Sequence, residues 1–533
     1  MHCIPSRLPY RQTNQFSKIV LDYVDQLPAL KPFFEHQVSV SGIRNAIEER
    51  KQFKTNRALL VAELEKQYAG IETSEKTLNN IHALMSEDTF TITTAHQNNI
   101  FTGPLYFIYK ILHAIKLADH LNTIIPEHKF VPLFYIGSED ADLEELNHIS
   151  VDGKKMVWET SQSGAVGRMN IDKKMTALID EMHGQLAVLP HGDEIISLLR
   201  KCYREGETIQ NATFYFVNYL FKEYGLIVLL PDNTSLKREM KKIFEDDLVN
   251  RGAAAIVEKS TEKITEAGYK VQAHPRDINL FYLKDDLRER IVEKDGVYTV
   301  LNTDLKYSRD GILELLDTHP EYFSPNVILR GLYQETILPN IAFIGGGGET
   351  AYWLQLKDLF EYYQTPFPVL VLRNSFLMVT SKEAAKIAKL GLGIDEIFNS
   401  EHELMNRIVK REREHDLNLQ NQLESISALY EQLQKKASAI DKTLDKHVSA
   451  LKEKAMHKIV ELEKKMLRAE KRKFQAHQNQ IQSIRNHLFP GDGLQERKEN
   501  LSYFYALWGC DFIKALYNHS LALEQEFVVL CEV

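Results

Sequence analysis

Four glycines stand in a row in IAFIGGGGETAYWLQLKDLF, residues 341–360, between an apolar run and a helix-period segment, with a carboxylate, Glu349, directly behind them. Removing Cβ atoms at such a place lets a ligand reach backbone N–H groups, which is how nucleotide-binding loops approach phosphate. The spacing is neither GxGxxG nor that of a P-loop, so by itself it names no cofactor. Gly346, Gly347 and Gly348 are the candidate nucleotide cradle. Glu349 is either a helix cap or a partner for a hydroxyl or amine, and Tyr352 and Trp353 are candidate stacking surfaces for a base, the alternative for both rings being core.

A second stretch, GSEDADLEELNHIS at 137–150, crowds Ser138, Glu139, Asp140, Asp142, Glu144, Glu145, Asn147 and His148 behind the apolar run FVPLFYIG. Crowded carboxylates raise at least one pKa and attract cations, so the loop suits recognition of an amine, its deprotonation, or a metal. Glu144 and Glu145 read equally well as acidic residues at a helix start, and His148 as a structural histidine. Glu139 and Asp140, at the end of the run, lead the catalytic candidates, with Asp142, Asn147 and His148 beside them. In AHQNNIFTGPLYFIYK, 95–110, Gly103 and Pro104 open a helix whose N–H groups suit phosphate or carboxylate. Gln97, Thr102, Tyr106 and Lys110 are the substrate-binding candidates there, against an ordinary capped helix. SPNVILRGLYQETILPN supplies Arg330, Gln334 and Glu335, and VLRNS supplies Arg373 and Ser375. Two arginines at strand ends suit a bidentate grip on carboxylate or phosphate.

These groups need elements to place them. TFTITT (89–94), FVPLFYIG (130–137), GLIVLLPD (225–232), NIAFIGG (340–346) and PVLVLRNS (368–375) are short β-branched or aromatic runs, most of them followed by helix-period segments. That alternation predicts an α/β fold with a Rossmann-like, doubly wound parallel sheet, whose ligands bind beyond the carboxyl ends of its strands. The core is expected over 1–380, with insertions at roughly 150–220 and 240–320.

From about 400 to 488 glycine and proline disappear, and apolar or small residues recur in steps of three and four from 419 to 466, as in a coiled-coil seam. Ser400 with Glu403 reads as a capping box, and the Ser-x-x-Asp of SAID (438–441) repeats that signature mid-run, so an antiparallel hairpin turning near Ala437 to Asp441 is expected within a helical domain at 381–490. FPGDG (489–493) ends it, and 491–533 is expected to be a helical segment packing back on the core. The basic run KKMLRAEKRK (464–473) alternates with glutamate and reads as a solvated coiled-coil face.

Composition narrows the functions. The chain has 533 residues, 44% of them apolar, and a formal charge of −9, which argues against a nucleic-acid backbone as partner. Cys3, Cys202, Cys510 and Cys531 are too scattered for a zinc site or a disulfide framework. With no signal-peptide pattern and no run long enough to span a bilayer, a cytoplasmic protein without membrane contact is expected.

In order along the chain, TAHQNNIFTGPLYFIYKILHAIKLA, SEDADLEELNH, SPNVILRGLYQETILPN, GGGGETAYWLQLK, LRNS, KKMLRAEKRK and LFPGDGLQERKEN resemble the cysteine-adding ligase family of bacillithiol biosynthesis, the BshC family. The resemblance implies a Rossmann-like core related to class I aminoacyl-tRNA synthetases, with connecting insertions and a dimerising coiled coil. It implies an amide-forming ligase that adds L-cysteine to glucosaminyl-malate, with ATP or ADP as the nucleotide and no assigned metal. Arg497 and Asn500, in the last motif, join the nucleotide-binding set. The chain departs from the family at Ala141, where the acidic loop usually carries histidine, and at Gly331, where Arg-Pro is frequent. HIGH and KMSKS are absent. A nucleotide-responsive coiled-coil scaffold, or an aminoacyl transferase with another amine acceptor, are the alternative functions.

Overall fold

The central strand, Thr89–Gln97, has a parallel neighbour on each side, Asn340–Gly345 and Lys129–Gly137. Val369–Leu372 and Ile227–Leu229 complete a five-stranded, all-parallel sheet. All five runs read as strands in the sequence are present in it. Both faces are covered, so most of the strands are near-continuous apolar runs. Where threonine interrupts them, its hydroxyl is paired: Thr91 with the Asn340 side chain at 3.2 Å and Thr94 with the Ile344 carbonyl at 2.8 Å. The Tyr106–Ile124 and Val40–Lys51 helices pack Ala114, Leu117, Leu121, Ile43 and Ile47 into one cluster with Phe90, Ile92, Ile344 and Val371. Each of the larger side chains among these, fully buried, contributes roughly 1.5–3 kcal/mol.

The sheet belongs to a computed structural model that describes residues 1–412, 418–473 and 475–533. Two units are present, Met1–Met378 with Gly493–Val533, and Val379–Asp492. In the first unit the chain lays strands outward from Thr89–Gln97 through Lys129–Gly137 to Ile227–Leu229, then returns to build the other side with Asn340–Gly345 and Val369–Leu372. The winding therefore reverses between Thr89–Gln97 and Asn340–Gly345. At such a reversal, connections leave the strand ends in opposite directions and open a crevice.

The 150–220 region holds three helices, Lys173–Leu186, Gly192–Cys202 and Ile209–Phe221, after a small hairpin. The 240–320 region carries strands of a second, antiparallel sheet, Leu280–Lys284, Leu287–Lys294 and Val297–Val300 among them. Asp295 and Gly296, both at positive φ, make its two-residue hairpin turn. The C-terminal segment departs from the helical expectation. After Leu501–Trp508 and Cys510–His519 it ends in a strand, Glu526–Glu532, that pairs antiparallel with Cys3–Pro9. Phe527 to Leu530 are all buried, so this strand is an apolar run too short to show a period beside aromatic helices.

In the second unit Ser400 and Glu403 form the expected capping box, at 2.9 and 3.3 Å. The Gln420–Ile440 and Leu444–Lys473 helices form an antiparallel hairpin, since Glu431 meets Lys452, Gln434 meets Ser449 and Ser438 meets Asp445. The turn lies at Asp441 to Thr443, slightly later than expected, because Asp441 accepts the Thr443 N–H at 2.8 Å and starts the second helix there. The helix expected to run from Ser400 to Ala437 is instead two, Glu401–Glu412 and Gln420–Ile440, with Asn418 and Leu419 non-helical before the second; residues 413–417 lie outside the described residues. Among the described residues no helix is long and apolar enough to cross a membrane.

One buried carboxyl makes the fold pH-sensitive. Asp247 accepts the Asn279 N–H and side-chain amide at 2.6 and 3.0 Å, yet burial dominates and pushes its pKa up to about 7. A carboxyl whose folded pKa lies above its unfolded value contributes stability below the unfolded pKa and loses it as pH rises through the folded one. The Asp247 contribution to stability therefore falls between about pH 4 and pH 7, and in urea unfolding Asp247→Asn should make the pH slope over that window more positive than the parent's. Equal slopes in the two proteins would assign the effect elsewhere.

Candidate active site

The crevice at the winding reversal is a cavity of about 430 Å³, open at the carboxyl end of the sheet. Its floor is His96 and Gln97 at the end of the central strand and Gly346 to Gly348 after the next. Tyr106 and Lys110 enter from the helix that follows the central strand, Asp140 from the acidic loop, and Arg330 from the Val327–Ile337 helix. Tyr352, Arg373 and Arg497 complete its charged and aromatic wall, and Gln272 and Asn326 also face it.

The glycine run now has a physical account. Gly346 has φ −75°, a backbone any residue adopts, so conformation does not demand glycine. Space does. A Cβ there would lie 3.3 Å from a Glu349 carboxylate oxygen, 3.6 Å from Arg373 Nε and 3.9 Å from Lys110 Cε. Glu349 caps its own helix by accepting the Gly346 N–H at 2.8 Å and is ion-paired with Lys110. Lys110 is buried and also donates to the Ala95 carbonyl at 2.9 Å; burial lowers its pKa and Glu349 opposes the shift.

Arg373 is buried and nearly saturated. It donates to Glu496 at 2.6 Å, to the Asn374 carbonyl at 2.9 Å and to the Ser375 hydroxyl at 3.1 Å, and stacks 5.0 Å from the Tyr106 ring centre. Its Nε has no protein partner. Arg330 donates to the Tyr352 hydroxyl, whose pKa burial pushes up to about 12 against the pull of that guanidinium. The side chain of His96 is an unpartnered group that the sequence reading missed: Nε2 is enclosed and without a hydrogen bond. Burial first, then Lys110, Arg373 and Arg330, drives its pKa well below the ordinary histidine value.

The cavity thus gathers Gln97, Tyr106, Lys110, Asp140, Arg330 and the glycine loop with Glu349, Tyr352, Arg373 and Arg497. Other expected site residues have structural work instead. Glu335 is fully buried in an ion pair with Arg50 at 2.6 Å, and its second oxygen accepts from Gln334 and Asn340. Trp353 is core, stacked on Phe343. Ser375 is buried beneath Arg373, and Asn500 caps a helix while donating to the Phe101 and Gly103 carbonyls at 2.9 and 2.6 Å. That contact explains why Thr102 and Gly103 form a tight turn rather than an anion site: the neighbouring Leu105 N–H is taken by Glu499, and a Cβ on Gly103 would strike Asn99. Asp142 and Asn147 bracket the short Leu143–Leu146 helix. His148 lines a separate cavity of about 380 Å³ that shares Gln97, Tyr106 and Arg497 with the first.

Glu139 lies behind Asp140, beside the buried Ser138, and is ion-paired with the fully buried Lys237. Lys237 also meets Asp232 at 3.3 Å, and Asp232 takes a bidentate grip from Arg168 at 2.6 and 2.8 Å. Burial and Asp232 raise the Glu139 pKa against Lys237. This network fixes the acidic loop and leaves Asp140 as its carboxylate on the cavity. Among the described residues no cluster of His, Cys, Asp and Glu is placed to hold a metal ion.

Fold and cavity define a Rossmann-like protein with a charged cavity at its winding reversal, joined to a coiled-coil unit. Residues 4–374 match the family domain "Bacillithiol biosynthesis BshC, N-terminal Rossmann-like domain" and residues 376–532 match "Bacillithiol biosynthesis BshC, C-terminal coiled-coil domain". Proteins named "Putative cysteine ligase BshC" from Flavobacterium psychrophilum and Christiangramia forsetii are each 38% identical to it, covering 98% of both chains. One from Flavobacterium johnsoniae is 37% identical over 98% of this chain and 99% of its own. The chain belongs to the BshC family of bacillithiol biosynthesis.

The Cβ geometry at Gly346 yields a test. Gly346→Val should fold, losing about 1 kcal/mol of capping stability, while its side chain fills the space between Lys110, Glu349 and Arg373. Calorimetric titration with ATP should then show affinity reduced by about tenfold or more, and unchanged affinity in the folded variant would show that the nucleotide does not use this loop.

Proposed function

We propose that the chain joins L-cysteine to glucosaminyl-malate, the amide-forming step that completes bacillithiol. The observation that carries this reading is the composition of one cavity: Lys110, Arg330, Arg373 and Arg497 beside a carboxylate, Asp140, at the reversal point of the sheet. The cations suit the malate carboxylates and phosphate. Asp140 suits the ammonium of a substrate and the removal of its proton.

Amide formation in water needs an activated carboxyl. A nucleoside triphosphate, when bound, supplies that activation, and the residues present fit it: the space over Gly346 that a Cβ would fill and the orphaned Arg373 Nε both suit phosphate oxygens. Gly346 to Gly348, Lys110 and Arg373 would hold the phosphates, and Tyr106, in the same wall, offers a ring face. Arg330, hydrogen-bonded to Tyr352, is set to orient the malate end. Glu139, tied to Lys237, positions the loop that carries Asp140. We place the reaction in the cytoplasm, where all four cysteines, free in the structure, would stay reduced.

The coiled-coil unit supports a homodimer. Leu429, Leu433, Ile440, Leu444, Leu451 and Leu462 expose 37 to 84% of their surface in the single chain, more than a solvated hairpin of this length needs. Light scattering should report a dimer for the parent and a monomer when residues 405–485 are replaced by a short Gly/Ser linker. A monomeric parent would contradict the proposal.

Purified protein supplied with cysteine, glucosaminyl-malate and ATP should produce bacillithiol, detected by mass spectrometry. Asp140→Asn should lower turnover on the order of 10²-fold while the melting temperature holds. Turnover near the parent level in that variant would remove Asp140 from the chemistry, and no product from the parent would overturn the function.

A further inference from the structure

The proposed reaction leaves one group in the cavity without a task. His96 is 9% exposed, lines the cavity at the end of the central strand, and has an enclosed Nε2 with no partner. Buried polar atoms are ordinarily satisfied, and an orphan on a residue that lines a cavity marks a place where a ligand can complete the set. The ring is fixed rather than loose, held edge-on by Tyr106 and Phe107 with centroids 5.2 and 5.3 Å away.

Its electrostatic surroundings come from several elements. Lys110 reaches in from the following helix, Arg330 from Val327–Ile337, and Arg373 from the loop after Val369–Leu372, while Glu349 and Asp140 supply the opposing charge. Glu349 is already committed to Lys110, and Glu496 to Arg373. An imidazole so placed is kept neutral in the free protein. A ligand carrying two carboxylates changes that balance, because its charges offset the cations that oppose protonation.

We infer that His96 is a proton-coupled ligand for anionic substrates: it is neutral when the cavity is free, and takes up a proton when a dicarboxylate enters, so that its ring becomes a charged hydrogen-bond donor to that anion. The inference deepens the proposed function, since it rests on this cavity being where the acidic acceptor binds. It assigns His96 to recognition of the malate end rather than to proton abstraction from the amine. The sign follows from linkage: a group whose pKa rises on binding makes binding tighter as pH falls toward that pKa.

Calorimetric titration of the full-length protein with L-malate, in buffers of different ionisation enthalpy, reads the proton directly. Near pH 6 binding should take up a substantial fraction of a proton, and affinity should be about three- to tenfold tighter than near pH 8. Sulfate, which does not titrate in this range, should show the same trend. His96→Gln and His96→Asn should still bind malate near pH 8 but lose the uptake and the pH trend. No uptake by the parent, equal uptake in both variants, or no binding of either anion would overturn the inference. Malate binding with proton uptake in a protein that makes no bacillithiol would sink the proposed reaction and leave this inference standing.

Discussion

The buried ion pair between Arg373 and Glu496 holds together parts of the chain that are far apart in sequence. Both side chains are shut away from water, a costly arrangement unless every remaining hydrogen-bonding position is used. Most are: the second Glu496 oxygen accepts the Phe376 N–H at 3.1 Å, and Arg373 donates to Asn374 and Ser375. Tyr10, from the N-terminal segment, donates to the Arg373 carbonyl at 3.1 Å. Removing either charge would strand the other, at roughly 3–5 kcal/mol.

From that pair the site is assembled outward. Fixing Glu496 fixes the segment whose next residue is Arg497 on the cavity wall, and whose Asn500 pins the Phe101 to Gly103 turn. That turn sets the start of the helix carrying Tyr106 and Lys110, and Lys110 meets the helix cap Glu349 across the Gly346 opening. The one Arg373 nitrogen left without a partner is Nε, whose distance from the Cβ position of Gly346 places it against that opening. A second buried network, Glu139, Lys237, Asp232 and Arg168, does for the acidic loop what Arg373 and Glu496 do for the opposite wall. The cavity walls are therefore held by paired charges, and the charges left for ligands are the surplus.

The five core strands were legible because a parallel sheet covered on both faces calls for short, mostly apolar, β-branched or aromatic runs, and the glycine run was legible because four absent Cβ atoms are conspicuous in any sequence. The antiparallel sheet was not: Leu287–Lys294 reads LRERIVEK, a half-exposed strand whose charges hide its alternation. Gln334 and Glu335 were misread because a buried face on a helix carries carboxylates only when a partner is present, and Arg50 lies 285 residues away in the sequence. Glu139 and Asp140 are adjacent in sequence yet face different surroundings, a distinction set by Lys237. His96 sits inside a stretch that sequence reasoning did single out, but its character comes from three cations delivered by separate elements, so no local pattern marks it.

The central claim is that the cavity at the winding reversal is where the acidic acceptor is held. A crystal structure of the protein with glucosaminyl-malate tests this most directly. The account predicts the malate carboxylates within hydrogen-bond distance of Arg330 and His96, with the sugar amine toward Asp140. Density for the ligand in the separate cavity beside His148, or elsewhere with the Gly346 crevice empty, would contradict it.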